Sequence, residues 1–242
     1  MLPERMDLAR RAQPSELPEW MDEPCTYADF RACLIDLAKA NTLTLARRPT
    51  LQWLNRIVAS SESSKPLHIV DVGCGGGDML RSVSRWAKHR GIAVMLTGLD
   101  LNPYAIQAAR EFTASGTAIE WVCGDAYSYD PPSGVDIILS SLFTHHLPDR
   151  EIVRYLAWME STARRGWFVN DLYRMRIYVH MFRALSTAAR WHSFVQHDGP
   201  VSICRSFRHA DWRILCEAAN LSQASLQIQK RIPGRLCVGR MK

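Results

Sequence analysis

The chain has 242 residues (27.5 kDa), 47% hydrophobic and 22% charged, with a formal net charge of +6 and a pI near 9.1. That composition supports a packed core and excludes global disorder, and no apolar run reaches the ~20 residues that cross a bilayer. Seven cysteines, odd in number, scattered and without a Cys-x-x-Cys pair, argue against a disulfide framework or a structural zinc site and point to a reducing, cytoplasmic setting.

The first fifteen residues interleave Glu4 and Asp7 with Arg5, Arg10 and Arg11 and hold no apolar block, so they do not read as a secretory signal. Up to residue 64 the pattern is helical, with no strand. Residues 27–40 place Phe30, Cys33, Leu34, Leu37 and Ala38 at helical spacing, and Pro49 suits the first turn of a second helix running to about residue 60. The stretch Ser60-Ser-Glu-Ser-Ser-Lys-Pro66 reads as a polar linker. Residues 1–64 are therefore expected to form an N-terminal helical cap, and residues 65–242 a second, larger domain. In that domain β-branched runs (67–71, 93–100, 118–122, 135–140 and 167–170) alternate with helical patterns (77–89, 103–115 and 148–163). Such alternation builds βαβ crossovers and a mostly parallel sheet. Residues 225–229 and 236–240, joined around Pro233-Gly234, read as an antiparallel hairpin at the sheet edge.

Ile69-Val-Asp-Val-Gly-Cys-Gly-Gly-Gly-Asp78 is a buried strand running into a glycine turn and then a helix. Glycines there allow positive φ and close approach of a ligand to the backbone. The dinucleotide spacing Gly-x-Gly-x-x-Gly fails, because Asp78 stands where the third glycine belongs, and a pyrophosphate sits badly between Asp71 and Asp78. Acids on both sides suit a ligand with a cationic part. The next strand ends in Asp100, placed to accept two ribose hydroxyls, while Asn102-Pro103 reads as a helix N-cap and first turn. Cys123-Gly-Asp125-Ala126 follows the third strand. Asp125 there can accept from an adenine amino group, or be a solvated loop acid.

Together these elements resemble the class I S-adenosylmethionine-dependent methyltransferases over residues 67–242. The resemblance implies a Rossmann-like, doubly wound, mostly parallel seven-stranded α/β sheet with a C-terminal antiparallel hairpin, N-terminal helices and a helical lid insertion. It implies S-adenosylmethionine as cofactor, with S-adenosylhomocysteine as product. The turn Gly73, Cys74, Gly75 and Gly77 would cradle the methionine part, with Asp71 near its amino group. Asp100 with Leu101 would lie at the ribose, Asp125 with Ala126 at the adenine, and Ser141 close by.

The acceptor side begins after the fourth strand. Asp130-Pro131-Pro132 looks like the motif of base-amine methyltransferases, but it precedes that strand and lacks the following aromatic, so it reads as a turn. Leu142-x-x-His145-His146-Leu-Pro-Asp149 resembles small-molecule O- and C-methyltransferases of the ubiquinone and menaquinone type. The fifth strand ends in Asp171, a neighbour that His145 or His146 can reach. An imidazole held by a carboxylate is a base for a hydroxyl acceptor, and the pair resembles the His–Asp dyad of natural-product sugar O-methyltransferases. The plainer account packs one histidine under the sheet and leaves Asp171 as a cap. Magnesium-using members of the family it resembles present acidic residues in the segment after the fourth strand, where this sequence offers Ser, Leu, Phe, Thr and His, so no metal is expected.

Residues 172–208 form the lid insertion, with Tyr173, Arg174, Tyr178, Met181, Phe182, Leu185, Trp191 and Phe194 at helical intervals. His197-Asp198-Gly199-Pro200 and Cys204-Arg205-Ser-Phe207 follow. Asn-Asp-Leu-x-Arg, His-Asp-Gly-Pro and Arg-x-Phe resemble bacterial methyltransferases of phenolic polyketide or quinone-like metabolites. That makes Tyr173, Arg174, Tyr178, His197, Asp198 and Arg205 substrate candidates; the alternatives are helix core for the aromatics, a solvated face for the arginines and a simple turn at Gly199-Pro200. From residue 172 to 213 seven arginines face two aspartates, a local net of +5. The excess is expected to be a property of the lid, suited to a phenolate or other anionic acceptor. The reading is thus an O-methyltransferase of a small phenolic, polyketide or quinone-like metabolite. Its alternatives are an RNA methyltransferase, motivated by the basic pI, and a cofactor-binding accessory protein without turnover. A small-molecule acceptor is expected rather than nucleic acid or an inserted membrane segment, in a monomer or homodimer.

Overall fold

The computed structural model describes residues 8–59 and 65–242; most of the expected linker at residues 60–66, and the start of the N-terminal segment, lie outside the described residues. Seven strands form one sheet: β1 (Leu67–Val72), β2 (Val94–Asp100), β3 (Glu120–Cys123), β4 (Val135–Ser141), β5 (Ala163–Leu172), β6 (Gln227–Arg231) and β7 (Arg235–Met241). Their order is β3-β2-β1-β4-β5-β7-β6, and β7 alone runs antiparallel to its neighbours. This is the mostly parallel sheet expected from the alternation, in the Rossmann-like arrangement that the resemblance implied. β1 is buried at all six positions, as a central strand covered on both faces must be.

The helices are α1 (Tyr27–Leu43), α2 (Arg48–Ala59), α3 (Asp78–Arg90), α4 (Pro103–Glu111), α5 (Asp149–Thr162), α6 (Arg176–Ala188), α7 (Ser193–Arg205) and α8 (His209–Ala218). On one face of the sheet, Trp53 and Leu54 of α2 and Leu80 of α3 pack with Ile137 and Phe168. On the other, Leu156 of α5 and Trp212 of α8 pack with Ile138 and Trp167. The helix α2 thus shares the sheet's own core. Asn170, fully buried on β5, donates from Nδ2 to Ala46 O (2.7 Å) and Thr50 Oγ1 (3.0 Å), which ties the α1–α2 turn to the strand. Among the described residues, no helix is long and apolar enough to cross a membrane.

Several boundaries move. β5 starts at Ala163, directly after α5, rather than at residue 167; the first hairpin strand lies two residues later than its pattern suggests, and the second extends one residue further at each end. The lid is two helices, with the chain reversing at residues 189–192. His197-Asp198-Gly199-Pro200, a turn candidate by its Gly-Pro, lies inside α7. Pro200 removes one helical hydrogen bond, but Val195, Val201, Ile203 and Cys204 around it are buried and hold the helix together. Gly199 is there for contact: a Cβ would fall 1.9 Å from the Phe182 ring of α6.

A similar close approach supports the glycine turn after β1. The Trp121 indole of β3 lies on Gly77 and Gly98, and a Cβ on Gly98 would sit 2.4 Å from the ring. Overpacking of this kind costs about 1–3 kcal/mol. Gly98→Ala should lower the unfolding free energy by that amount, read as a lower urea midpoint at unchanged slope; an unchanged midpoint would show that the indole is free to move aside.

Candidate active site

A cavity of about 630 Å³ opens at the carboxyl ends of β1, β4 and β5, roofed by α1, α6 and α7. That is where an open parallel sheet presents loop backbone to a ligand. Gly73, Gly75 and Gly77 all have positive φ (69°, 52° and 75°). A Cβ on Gly73 would collide with the Phe143 ring, whereas Gly75 faces open space apart from Leu34 Cδ2 at 3.9 Å. The turn is therefore a cradle that only glycine can line.

Three acids surround it. Asp71 is 1% exposed, its Oδ1 has no hydrogen-bond partner, and burial, with Asp78 and Asp100 nearby, pushes its pKa well up. Asp100 accepts from Gly75 N through Oδ2 and from Asn102 N through Oδ1, both at 2.9 Å; burial still raises its pKa against those two bonds. Asp78 is engaged by Arg47 Nη1 at 2.7 Å. An orphaned buried carboxylate beside an open glycine cradle is satisfied by a ligand cation such as an ammonium group. Cys74 also lines the cavity, its thiol pushed up by burial. Ser141, at the end of β4, lines the wall as well.

Leu101, Asp125 and Ala126 do not line the cavity. They sit at the adjoining strand ends, where Gly124 N donates to Asp100 O at 3.0 Å. Leu101 is 71% exposed, Ala126 is buried, and Asp125 Oδ1 accepts from Tyr127 N, capping a short 3-10 turn. Asn102 has the capping role read from its Asn-Pro pair, its side chain accepting from Tyr104 N at 2.9 Å.

At the ends of β4 and β5, His145 Nδ1 lies 2.8 Å from Asp171 Oδ1. Asp171 is fully buried, which opposes its charge, but His145, Thr144 Oγ1 (2.5 Å) and Leu172 N (2.7 Å) together hold its carboxyl well below the ordinary range. An ionised carboxylate only accepts, so the proton of the pair sits on Nδ1, and Nε2 lies on the Glu19 side of the ring. His146 takes a different partner, Asp22 Oδ1 at 3.1 Å. Burial disfavours its charged form, yet Glu19 and Asp22 outweigh that and its pKa rises.

Glu19 and Asp22 come from an N-terminal strap across the lid that no local signal in the sequence marks. Glu19 is 1% exposed; its Oε1 accepts from Ser202 Oγ (2.9 Å), pairs with Arg205 Nη1 (3.3 Å) and lies 3.8 Å from His145 Nε2. Glu19 Oε2 lies 3.8 Å from His146 Nε2. The ligand atoms of Glu19, His145 and His146 fall within 4.8 Å of one another, a donor set that suits a transition metal, although Arg205 already neutralises the carboxylate. Asp22 also pairs with Arg205, and its pKa falls to about 2 against the desolvation. Buried Arg11 bonds Arg205 O (2.7 Å) and Leu147 O (2.7 Å), pairs with Asp149 and lies over the Phe207 ring.

The lid residues divide. Tyr178, Met181, Phe182 and Leu185 face the cavity, as does Asp198, whose carboxylate accepts from Trp20 N (2.8 Å), Met21 N (3.0 Å) and His197 Nδ1 (2.7 Å). Trp191 belongs instead to a small core with Cys33 and Val195. Tyr173, Arg174, His197 and Arg205 do not line the cavity. Tyr173 packs on the main core under Lys230; His197 stacks on Trp20 at 4.0 Å. Arg174, 1% exposed, donates to Ser206 O and pairs with Asp211. The charge expectation is corrected accordingly: none of the seven arginines between residues 172 and 213 lines the cavity wall. Buried Arg174 and Arg205 brace backbone and acids, Arg183 is half-buried, and Arg176, Arg190, Arg208 and Arg213 are exposed. The cavity's arginines are Arg47, Arg81 and Arg235, from outside the lid.

Residues 69–166 match the family described as methyltransferase domain. Among curated proteins, trans-aconitate 2-methyltransferase of Streptomyces avermitilis is 26% identical over 85% of this chain and 72% of its own length. Ubiquinone biosynthesis O-methyltransferase of Albidiferax ferrireducens is 24% identical over 64% of this chain and 57% of its own length, so the chain spans just over half of that relative. The plantazolicin methyltransferase BpumL, solved in complex with SAH, superposes with a TM-score of 0.62 at 13% identity, covering 88% of this chain and 95% of that one.

The orphaned Asp71 gives this site a pH signature. Its raised folded value means that the native state holds a proton the unfolded chain (about 3.9 for a free Asp) releases, so the ligand-free protein loses stability as pH rises between those two values. Asp71→Asn should remove that slope and raise ligand-free stability at neutral pH, while weakening S-adenosylhomocysteine at least tenfold by calorimetry. A variant with unchanged affinity would take Asp71 out of the site.

Proposed function

We propose that this chain, a class I S-adenosylmethionine-dependent methyltransferase, transfers the methyl group to a hydroxyl oxygen of a small phenolic, polyketide or quinone-like metabolite, with His145 as general base. The observation that carries this reading is the buried His145 Nδ1–Asp171 Oδ1 contact of 2.8 Å on an imidazole that lines the cavity. The chemistry in the name of the ubiquinone O-methyltransferase relative agrees with a hydroxyl acceptor.

The residues fit the cofactor. Asp71, with an unpartnered oxygen, suits its ammonium group, and the glycines 73, 75 and 77, with Cys74, suit its methionine chain. Asp100 and Leu101 are assigned to the ribose side, Asp125 and Ala126 to the adenine, and Ser141 to the cavity wall between cofactor and acceptor. When bound, S-adenosylmethionine supplies an electrophilic methyl carbon to an oxygen held in line with it. The chain's own work is then to hold that oxygen and take its proton. Phe30, Leu34, Phe143, Tyr178 and Phe182 give the cavity apolar walls suited to a ring. His145 accepts the hydroxyl proton on Nε2 as the oxygen–methyl bond forms, and Asp171 and Glu19 stabilise the imidazolium from its two sides. The strap, through Glu19, Trp20 and Met21, closes the lid and keeps water from competing.

General-base removal costs about 10²–10⁴ in rate. His145→Ala and Asp171→Asn should each lower S-adenosylhomocysteine release from hydroxylated aromatic acceptors within that range, with cofactor affinity changed less than twofold. Full turnover in His145→Ala would leave the methyltransferase and remove the base.

A further inference from the structure

Arg235, the first residue of β7, is paired across the ladder with Leu172, directly after the dyad aspartate. Its side chain lines the cavity and yet is 4% exposed. Among the described residues, Nη1 has no hydrogen-bond partner, and Nη2 reaches only Thr44 Oγ1, at 3.4 Å. A buried guanidinium without a counter-ion is costly, and its planar fork matches a carboxylate.

The acids that could neutralise it are engaged elsewhere. Asp171 takes Thr144, His145 and Leu172, and Asp78 takes Arg47. The cavity's other two arginines are not in the same position: Arg47 pairs with Asp78, and Arg81 donates to Gly76 O. The backbone of Arg235 adjoins the strand that carries Asp171. In the strand order β1-β4-β5-β7 its strand is three removed from the one that carries the glycine turn, about 14 Å at the usual strand spacing.

We propose that Arg235 is an anion subsite that holds a carboxylate on the acceptor, away from the hydroxyl presented to His145. The proposal deepens the methyltransferase reading and rests on it. It returns to a residue outside the lid the preference for an anionic acceptor that the lid arginines cannot provide. The one competing source of the same chemistry is the carboxylate of the cofactor's methionine part.

Calorimetry separates these on the full chain. The first arm titrates S-adenosylhomocysteine into wild type and Arg235→Gln; the second titrates 3,4-dihydroxybenzoate and its methyl ester into the S-adenosylhomocysteine-saturated proteins. Wild type is expected to bind the acid at least tenfold tighter than the ester. Arg235→Gln should abolish that preference while changing S-adenosylhomocysteine affinity less than twofold, and Arg235→Lys should restore part of the preference. Equal binding of acid and ester by wild type, no binding of the acid at millimolar concentration, or a preference that survives in Arg235→Gln would each overturn the proposal. A tenfold loss of S-adenosylhomocysteine affinity in Arg235→Gln would overturn it by assigning the guanidinium to the cofactor. Failure of wild type to bind S-adenosylhomocysteine at all would strike the methyltransferase reading itself, an outcome distinct from the others.

Discussion

The wall of the cavity at the ends of β4 and β5 depends on one fully buried carboxylate. Asp171 ends the strand that runs beside β4, and it gathers the Thr144 hydroxyl, the His145 amide, the His145 ring and the Leu172 amide. Taking a carboxylate out of water is expensive unless its lone pairs are all used, and here they are. Because the carboxylate can only accept, it dictates which ring nitrogen of His145 carries the proton. It also fixes the turn after β4, since both the backbone and the side chains of that turn point at it. The same contacts that satisfy Asp171 therefore orient His145.

Around this anchor the charges form two layers. Asp71, Asp78 and Asp100 surround the glycine cradle, with Asp71 left unsatisfied, so that end of the cavity favours a cation. Nearer the lid, Glu19, Asp22 and Asp198 are held by Arg205, by His146 and by the amides of Trp20 and Met21. The strap is thus joined to α7 by ionic and backbone contacts rather than by apolar packing alone. The net +6 of the chain describes neither layer.

Where the cavity wall is built from local runs, the sequence located it. The run from Ile69 to Asp78, the acid ending β2 and the His-His segment after β4 each lie within a single strand–turn–helix unit, so spacing and residue type sufficed to locate them. Asp171 could be matched to His145 because adjacent parallel strands place their ends together. What could not be read was long-range pairing. Glu19 and Asp22 precede α1 without any signature, and their role exists only because Arg205 and the two histidines converge on them. Arg174 and Arg205 read as solvated or substrate-facing by composition, but the fold buries both. Gly199-Pro200 reads as a turn by local propensity, and packing of Phe182 against the glycine overrides it. Arg235 gave no signal, because its isolation is a property of the neighbours that do not pair with it.

The central claim is that Asp171 holds a proton of His145 on Nδ1, toward the carboxylate, and leaves Nε2 as the nitrogen for proton transfer. Nitrogen-15 NMR of the histidine rings, with His145 assigned by substitution and the protein saturated with S-adenosylhomocysteine at neutral pH, reads this directly. The account predicts the Nδ1-protonated tautomer for His145, lost in Asp171→Asn. A ring protonated on Nε2, or a tautomer unaffected by Asp171→Asn, would contradict it.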